Sequence, residues 1–290
     1  MKPLPTVVLC VDDHVVDFFR LWCQALSLTG SSCPVVILPF SKRVSQIEKV
    51  SEQFGFSMNS EAPDDWIKIG RSIYGDESYR PGLPRRQFFS KLAALSLNFP
   101  RLVYYDVNAI PFAKPEIVAE SMENSDAEII FRWQLSSLGQ NIPNAAVMRD
   151  LNKMNPSIGR GWSANFFVCR GNLLKLDEAI EFSKTDGLRK KFGTAPEQSF
   201  LTHFFAHKKT KIDAIAKYSG SERGVSCRSD LWVEYEGERP VLFSDDGCGA
   251  RVKPHFVKWN GNVISRTMDH HWLTRFIRRE YQALGKSIIQ

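Results

Sequence analysis

A short apolar run followed at once by two polar side chains is the feature that most constrains the fold of this chain. Residues Leu102–Tyr105 are apolar and strand-forming, and Asp106 and Asn108 come directly after them. Such a run, preceded by Pro100, is typical of a buried strand in an α/β sheet. Open α/β sheets bind ligands at the carboxyl ends of their strands. Oxygen ligands in that place suit Mg²⁺ or Mn²⁺ bound to a diphosphate.

The N-terminal segment predicts a βαβ unit. The run Val7–Val11 is apolar and β-branched, a helical pattern covers 15–28, and a second strand is predicted over 34–40. A strand, a helix and a strand within forty residues make the two strands parallel. Asp12 and Asp13 end the first strand, where a carboxylate can contact the base or ribose of a nucleotide, or can cap a helix. Both roles can hold, one residue each.

The rest of the chain continues to alternate between helix and strand patterns. Helices are predicted over 41–51, 85–97, 117–122, 172–183, 197–206 and 270–284, and strands over 128–133 and 162–170. Segments 55–84 and 136–161 are predicted to be irregular because of their turn-forming residues, and 207–262 to mix short strands with loops. We predict one α/β domain over 1–290, with a mixed, mostly parallel central sheet flanked by helices. Its halves would be 1–112 for the nucleotide and 113–265 for the acceptor, followed by the basic helix 270–284.

The composition is that of a globular protein with an excess of positive charge. Of 290 residues, 43% are hydrophobic and 24% are charged, and the net charge is +6. This charge favours an anionic partner, or simply solubility. The six cysteines include no C-x-x-C pair, which argues against a zinc ribbon and favours a reducing compartment. No apolar run reaches the roughly 20 residues of a membrane helix. We therefore expect a cytoplasmic protein.

The order of these motifs resembles that of nucleotide-sugar glycosyltransferases of the GT-A type, most nearly glycosyltransferase family eight. The Asp-x-Asp element of that class matches Asp106 and Asn108, with Asn in place of the second Asp. Arg86 and Lys91 match the R-x-x-x-x-K-L element that precedes the metal strand, which implies that they bind the diphosphate. Either could instead lie on a solvated helix face. The resemblance covers about 7–262.

Two further segments carry the resemblance in the second half of the chain. The run 161–168 resembles the F-N-S-G-V-F/M strand, which implies hydrogen bonds from Ser163 and Asn165 to donor or acceptor, although the usual Gly is missing. The alternative is an inner strand with polar residues by chance. Glu197 and Gln198 resemble the D/E-Q pair that faces the sugar and would act in catalysis. An acid there also offsets a helix dipole, so Gln198 is the more diagnostic residue.

A late segment resembles the H-F-x-G-x-x-K-P-W region of family eight. In that region the His completes the metal shell and a Lys meets the diphosphate, and the matching positions here are His255 and Lys258. The order of Lys, Trp and Gly differs from the family pattern. A lone His is more often structural.

The resemblance implies transfer of a sugar from a nucleoside-diphosphate donor to a hydroxyl of a glycan, lipid or protein. A divalent cation, Mn²⁺ or Mg²⁺, would be held by Asp106, Asn108 and His255. Two alternatives keep the fold: a degenerate nucleotide-sugar-binding protein, and a sugar nucleotidyltransferase, which would need a Gly-rich loop after the first strand. Nucleic-acid binding is not expected. The basic helix 270–284 could lie on an anionic membrane, although a solvated surface is the commoner role of such helices.

Overall fold

Strands and helices alternate through the computed structural model, which describes residues 3–59, 63–133, 141–160, 162–214, 224–226, 231–236, 239–245, 251–258 and 271–285. The strands are β1 (Thr6–Val11), β2 (Val35–Pro39), β3 (Ser57–Met58), β4 (Ser78–Arg80), β5 (Leu83–Pro84), β6 (Leu102–Tyr105), β7 (Ala109–Pro111), β8 (Ile129–Trp133), β9 (Trp162–Cys169), β10 (Ile212–Ala214), β11 (Gly224–Ser226), β12 (Leu231–Glu236), β13 (Arg239–Asp245), β14 (Arg251–Val252) and β15 (Phe256–Lys258). The α-helices are α1 (Val16–Thr29), α2 (Ser45–Phe54), α3 (Pro63–Tyr74), α4 (Ala93–Ser96), α5 (Pro115–Glu120), α6 (Ala145–Met154), α7 (Leu176–Ser183), α8 (Pro196–Lys208) and α9 (Trp272–Ala283). Short 3-10 helices cover Asp13–Val15, Arg85–Leu92, Pro156–Arg160 and Leu188–Lys191.

Seven of the described strands form the central sheet, in the order β10-β8-β9-β6-β1-β2-β3. Strand β1 pairs in parallel with β2 and β6, whereas β9 runs antiparallel to β6 and β8. The predicted fold class is therefore confirmed. Strands from both predicted halves of the chain lie side by side in this sheet, and the division into halves stays a prediction.

Each face of the central sheet is covered by its own hydrophobic cluster. Alternate residues of β1 point to opposite faces, so that Val7 and Leu9 join the cluster around α1, and Val8 joins the cluster around α8. Every residue of β1 is buried. Burial on both faces explains why this strand has a continuous apolar sequence instead of an alternating one.

A small second sheet continues from the loop that follows β6. Strand β15 lies between β11 and β7, parallel to the first and antiparallel to the second. The register places Lys258 opposite Ala109 and Phe256 opposite Pro111. Late residues of the chain are thus brought next to the segment that holds Asp106 and Asn108.

Two segments predicted to be irregular contain helices, and these predictions were wrong. Helix α3 lies within 55–84 and buries Trp66, Ile69 and Tyr74, which are spaced as on one helix face. Helix α6 and the 3-10 helix Pro156–Arg160 lie within 136–161. The frequent Gly, Pro and Asn residues around these helices concealed the apolar spacing.

The remaining differences concern helix type and helix ends. The predicted helix 85–97 is mostly a 3-10 helix, Arg85–Leu92, followed by the single turn of α4. Some predicted positions lie outside the described residues. These are His270, the predicted start of the last helix, and Gly161 and 259–262, which belong to the segments that resemble the glycosyltransferase motifs. No described helix combines the length and the apolar character that crossing a membrane requires.

Candidate active site

A cavity of about 480 Å³ opens at the carboxyl ends of β1 and β6. Its polar lining includes four residues that the sequence predicts for the site: Asp12, Lys91, Asp106 and Asn108. Its apolar lining includes Val15, Phe18, Phe40, Leu83, Pro84 and Phe88. Both the volume and the mixture of an apolar wall with a few polar groups are usual for sites that bind small molecules.

Lys91 lies between two carboxylates at the inner end of this cavity. Its Nζ is 2.6 Å from Oε1 of Glu197 and 3.6 Å from Oδ1 of Asp106. Lys91 is 8% exposed and Glu197 only 2%. Burial disfavours the ammonium group, but the charges of Asp106 and Glu197 outweigh this effect and raise the pKa of Lys91. The site therefore holds a buried ammonium group flanked by two carboxylates.

Three different elements bring these charged groups together. Asp106 follows the last residue of β6, Lys91 lies near the end of the 3-10 helix Arg85–Leu92, and Glu197 is in the first turn of α8. Proline begins α8, where its missing N–H costs nothing, and the acidic Glu197 suits the positive end of the helix dipole.

The carboxylate of Asp106 is also fixed by its neighbours in the sheet. The hydroxyl of Tyr104 donates to Asp106 Oδ1 at 3.1 Å, and the Tyr104 ring stacks on Phe167 with centroids 4.7 Å apart. Burial, together with the nearby Asp106 charge, raises the pKa of Tyr104, so the hydroxyl keeps its proton and remains a donor. One oxygen of Asp106 is thus already committed within the protein.

The two acids that end β1 take different places. Asp12 lines the cavity, and its Oδ2 accepts a hydrogen bond of 2.7 Å from the hydroxyl of Ser41. Asp13 points instead to the start of α2, where Oδ1 accepts from the backbone N–H groups of Gln46 at 2.9 Å and Ile47 at 3.1 Å. Asp13 therefore caps α2, whereas Asp12 both lines the cavity and caps the 3-10 helix Asp13–Val15, because its Oδ1 accepts from the N–H of His14 at 3.1 Å.

Asn165 lies beside Asp106 on the neighbouring strand β9. Its carbonyl accepts from the N–H of Asp106 at 2.8 Å, and the residue is 1% exposed. Within the described residues, neither polar atom of its side-chain amide has a hydrogen-bond partner, which is costly for a buried group. Ser163 is 4% exposed and opposes Arg132 on β8, away from the described lining of the cavity.

Arg86 and Gln198 lie apart from the described lining of the cavity. Arg86 donates to the carbonyl of Gly75 at 3.1 Å and to the carboxylate of Asp76. Gln198 follows Glu197 in α8, and its Oε1 is buried without a partner among the described residues.

Sequence reasoning missed Gln87 and Phe88, which line the cavity together with Lys91. A 3-10 helix has three residues per turn, so Phe88 and Lys91 lie on the same face. Residues three apart also share a face of an α-helix, so this arrangement does not depend on the helix type. The spacing of Phe88 from Lys91 was therefore the signal that could have found Phe88.

His255 and Lys258, the two late residues that the sequence predicts for the site, lie at or just before β15. His255 is 1% exposed, and its carbonyl accepts from the N–H of Phe112 at 2.8 Å. Burial lowers the pKa of His255 to about 4, so its ring is neutral. Lys258, opposite Ala109, is the residue of β15 whose register position is nearest Asn108.

The described side chains fit a divalent cation poorly. Across the described ranges, no group of three or more His, Cys, Asp or Glu is placed to hold a metal ion. Near the cavity the donors are the Asp106 carboxylate, which already accepts from Tyr104, and the uncharged amide of Asn108. Mg²⁺ and Mn²⁺ favour carboxylate oxygen ligands, and His255 is not part of the described lining of the cavity.

Comparison with solved structures identifies the fold. The galactosyltransferase LgtC in complex with donor and acceptor sugar analogues superposes with a TM-score of 0.55 at 10% identity, covering 97% of this chain and 97% of LgtC. An active-site mutant of LgtC gives 0.55 at 10% identity, with 96% and 95% covered. Mouse xyloside xylosyltransferase 1 gives 0.45 at 11% identity, with 73% and 84% covered.

These likenesses establish a shared fold. The predicted GT-A-type fold is confirmed, whereas the narrower resemblance to family eight stays a prediction. No protein-family model and no curated protein sequence matches the chain.

Proposed function

We propose that this protein transfers a sugar from a nucleoside-diphosphate donor to an acceptor hydroxyl. The observation that carries the proposal is the cavity at the ends of β1 and β6, where Asp12, Lys91, Asp106 and Asn108 meet. It lies at the carboxyl edge of the sheet, where α/β folds bind ligands. The fold is shared with LgtC, a galactosyltransferase whose structure holds donor and acceptor sugar analogues.

The lining of the cavity suits both parts of such a donor. Phe40 and Phe88, with ring centroids 6.0 Å apart, give an aromatic wall against which a base can pack. Asp12 can accept hydrogen bonds from ring N–H or sugar hydroxyl groups. Lys91, which pairs with Asp106 and Glu197, places an N–H donor at the inner end, where it can also donate to a diphosphate oxygen.

The proposed reaction forms one bond and breaks one. The acceptor oxygen bonds to the anomeric carbon of the sugar, the bond from that carbon to the diphosphate breaks, and its electron pair leaves with the diphosphate. The acceptor hydroxyl loses its proton. Positive charge fixed near the leaving group stabilises this step because charge accumulates there in the transition state.

Glu197 and Gln198 belong to the proposal in different ways. Glu197 holds the ammonium of Lys91 at 2.6 Å, so we assign it a positioning role. Gln198 follows it at the start of α8 and is proposed to face the sugar. The sequence-predicted Mn²⁺ or Mg²⁺ would supply further positive charge to the diphosphate, but the described donors fit such an ion poorly.

Calorimetric titration with UDP, GDP, ADP and CDP, and with their sugar conjugates, tests donor binding and identifies the base. Transfer is then measured by donor consumption with glycan, lipid and protein acceptors. We expect Asp106→Asn to lower the transfer rate by about 100-fold or more, while exposed Asp150→Asn serves as the matched control. Binding of none of these nucleotides would refute the proposal.

Nucleotide binding without turnover on any acceptor would favour the alternative of a degenerate binding protein. Two features motivate this alternative. Asp106 already pairs with Lys91, and Asn108 stands where the resembled motif has a second acid. Cytoplasmic location and membrane contact through α9 remain predictions from the sequence.

A further inference from the structure

We propose that the hydroxyl of Tyr104 positions Asp106 for sugar transfer, whereas the hydroxyl of the neighbouring Tyr105 has no part in it. Tyr104 is a positioning residue in this proposal, because it acts through the carboxylate of Asp106. The inference rests on the proposed function and adds a residue that the sequence did not predict for the site. It follows from how the two adjacent tyrosines at the end of β6 are placed.

The two tyrosines point to opposite faces of the central sheet. Tyr104 belongs to the hydrophobic cluster around α8 and Tyr105 to the cluster around α1, as expected for adjacent residues of a strand. Both are buried, with 1% and 0% of their surface exposed. Of the two, Tyr104 lines the cavity. One strand end therefore carries the same side chain in two different environments.

The hydroxyl of Tyr104 binds one particular oxygen of Asp106. It donates to Oδ1 at 3.1 Å, and Nζ of Lys91 lies 3.6 Å from the same oxygen. Among the described residues, no hydrogen bond is donated to Oδ2 of Asp106. The side chain of Asp106 is nevertheless 27% exposed and lines the cavity. The carboxylate is thus held through Oδ1, and Oδ2 is available to a ligand.

The strands on both sides of β6 fix the ring of Tyr104. Val8 of β1 and Phe167 of β9 oppose Tyr104 in the two ladders. The rings of Tyr104 and Phe167 stack with centroids 4.7 Å apart and an angle of 9° between their planes. A hydroxyl on a ring held in this way is a donor of fixed position, and such a donor restricts the rotation of the carboxylate that accepts from it.

Tyr105 supplies the matched control. Its hydroxyl is buried and has no hydrogen-bond partner among the described residues. Its ring packs edge-on against Trp22 at 5.7 Å and Phe166 at 4.9 Å between centroids. Removing a buried hydroxyl that has no partner breaks no hydrogen bond. Tyr105→Phe therefore makes the same chemical change as Tyr104→Phe, one residue away, without the loss of the bond to Asp106.

The test is steady-state kinetics of the whole protein with its preferred nucleotide sugar and acceptor, in a buffer that contains Mn²⁺. We expect Tyr104→Phe to lower kcat by about tenfold, the effect of one hydrogen bond to a charged group, because Asp106 is then less well oriented. The Kd of the nucleoside diphosphate, measured by calorimetry, should change by less than about twofold, because the aromatic wall and Asp12 are untouched. Tyr105→Phe should match the wild type in both measurements.

A double-mutant cycle gives a second readout that does not depend on activity. In urea unfolding, Tyr104→Phe should lower the folding equilibrium constant by about tenfold in the wild type and by less than about twofold in Asp106→Ala, which lacks the acceptor of the bond. Equal losses in the two backgrounds would show that Tyr104 does not act through Asp106.

Three outcomes would overturn the inference and leave the proposed function standing. They are a folded Tyr104→Phe variant with the kcat of the wild type, a Tyr105→Phe variant that loses as much kcat as Tyr104→Phe, and a Tyr104→Phe variant that does not fold. The last would show that the hydroxyl serves the fold. Absence of transfer by the wild type with every donor and acceptor would instead refute the proposed function, and the inference with it.

Discussion

Replacing Lys91 with methionine tests the buried charge cluster directly. Methionine keeps much of the side-chain length but leaves Glu197, whose side chain is 3% exposed, without the ammonium that lay 2.6 Å away. Removing one partner of a buried ion pair costs about 3–5 kcal/mol. Proton uptake by the stranded carboxyl sets a ceiling on this cost, because a glutamate with an ordinary pKa of about 4.3 can be neutralised at pH 7 for about 3.7 kcal/mol. We expect a loss of about 3–4 kcal/mol in the free energy of unfolding.

The same reasoning makes the loss depend on pH. At pH 5 the ceiling falls to about 1 kcal/mol, because the pH is then close to the ordinary pKa of a glutamate. The folded variant binds an additional proton that the unfolded chain does not, so its stability relative to the wild type increases as the pH falls. The double variant Lys91→Met/Glu197→Gln should recover much of the loss at pH 7, because it removes the stranded charge.

Urea unfolding followed by tryptophan fluorescence at pH 7 and pH 5 measures these differences. The control is Lys184→Met, whose Nζ is 2.8 Å from Glu181 but whose side chain and that of its partner are 63% and 79% exposed. An exposed pair of this kind is worth less than about 1 kcal/mol. A Lys91→Met variant that loses less than about 1 kcal/mol at pH 7, or equal amounts at both pH values, would show that Lys91 does not compensate buried carboxylates.

Two further predictions concern the elements around the site. A Cβ on Gly70 of α3 would lie 2.8 Å from the backbone of Arg86, so Gly70→Ala should push the 3-10 helix Arg85–Leu92 outward. We expect this variant to lose about 1–3 kcal/mol in the free energy of unfolding, measured with urea, and to bind nucleotide more weakly. Unchanged stability and affinity would contradict this contact. Burial lowers the pKa of His203 to about 4, so the unfolded chain binds more protons between about pH 4 and pH 6.5, and stability is lost as the pH falls through that range. The stability of His203→Gln relative to the wild type should therefore rise by about 2 kcal/mol between pH 7.5 and pH 4.5, and parallel pH profiles would refute this.

The sequence predicted those parts of the site that depend on local patterns. Asp12 and Asp106 end apolar strands, and the carboxyl ends of parallel strands meet at one edge of a sheet, so their approach follows from the strand assignments alone. Apolar spacing also predicted four of the elements around the site, namely β1, α1, β2 and β6. Lys91 was predicted from the R-x-x-x-x-K-L element, and its partner Glu197 was predicted separately from the D/E-Q pair.

Other parts of the site depend on features that a single sequence does not express locally. Apolar spacing does not distinguish the 3-10 helix Arg85–Leu92 from an α-helix, because residues three apart share a face in both. Helix α3 was hidden because Pro63 and Gly70 suggested a loop. The register of β15 depends on pairing with a strand far away in sequence, so nothing near Lys258 reveals that it is beside Asn108.

The pairing of β7 with β15 has a consequence for the order in which the protein matures. Ala109 and Lys258 are about 150 residues apart in the chain, and contacts between such distant residues form late because a long loop must close first. During synthesis, strands β1 and β6, whose carboxyl ends line the cavity, leave the ribosome well before β15 does. The central strands beside the cavity therefore form early, and the second sheet that joins β7 to β15 is completed only near the end of translation.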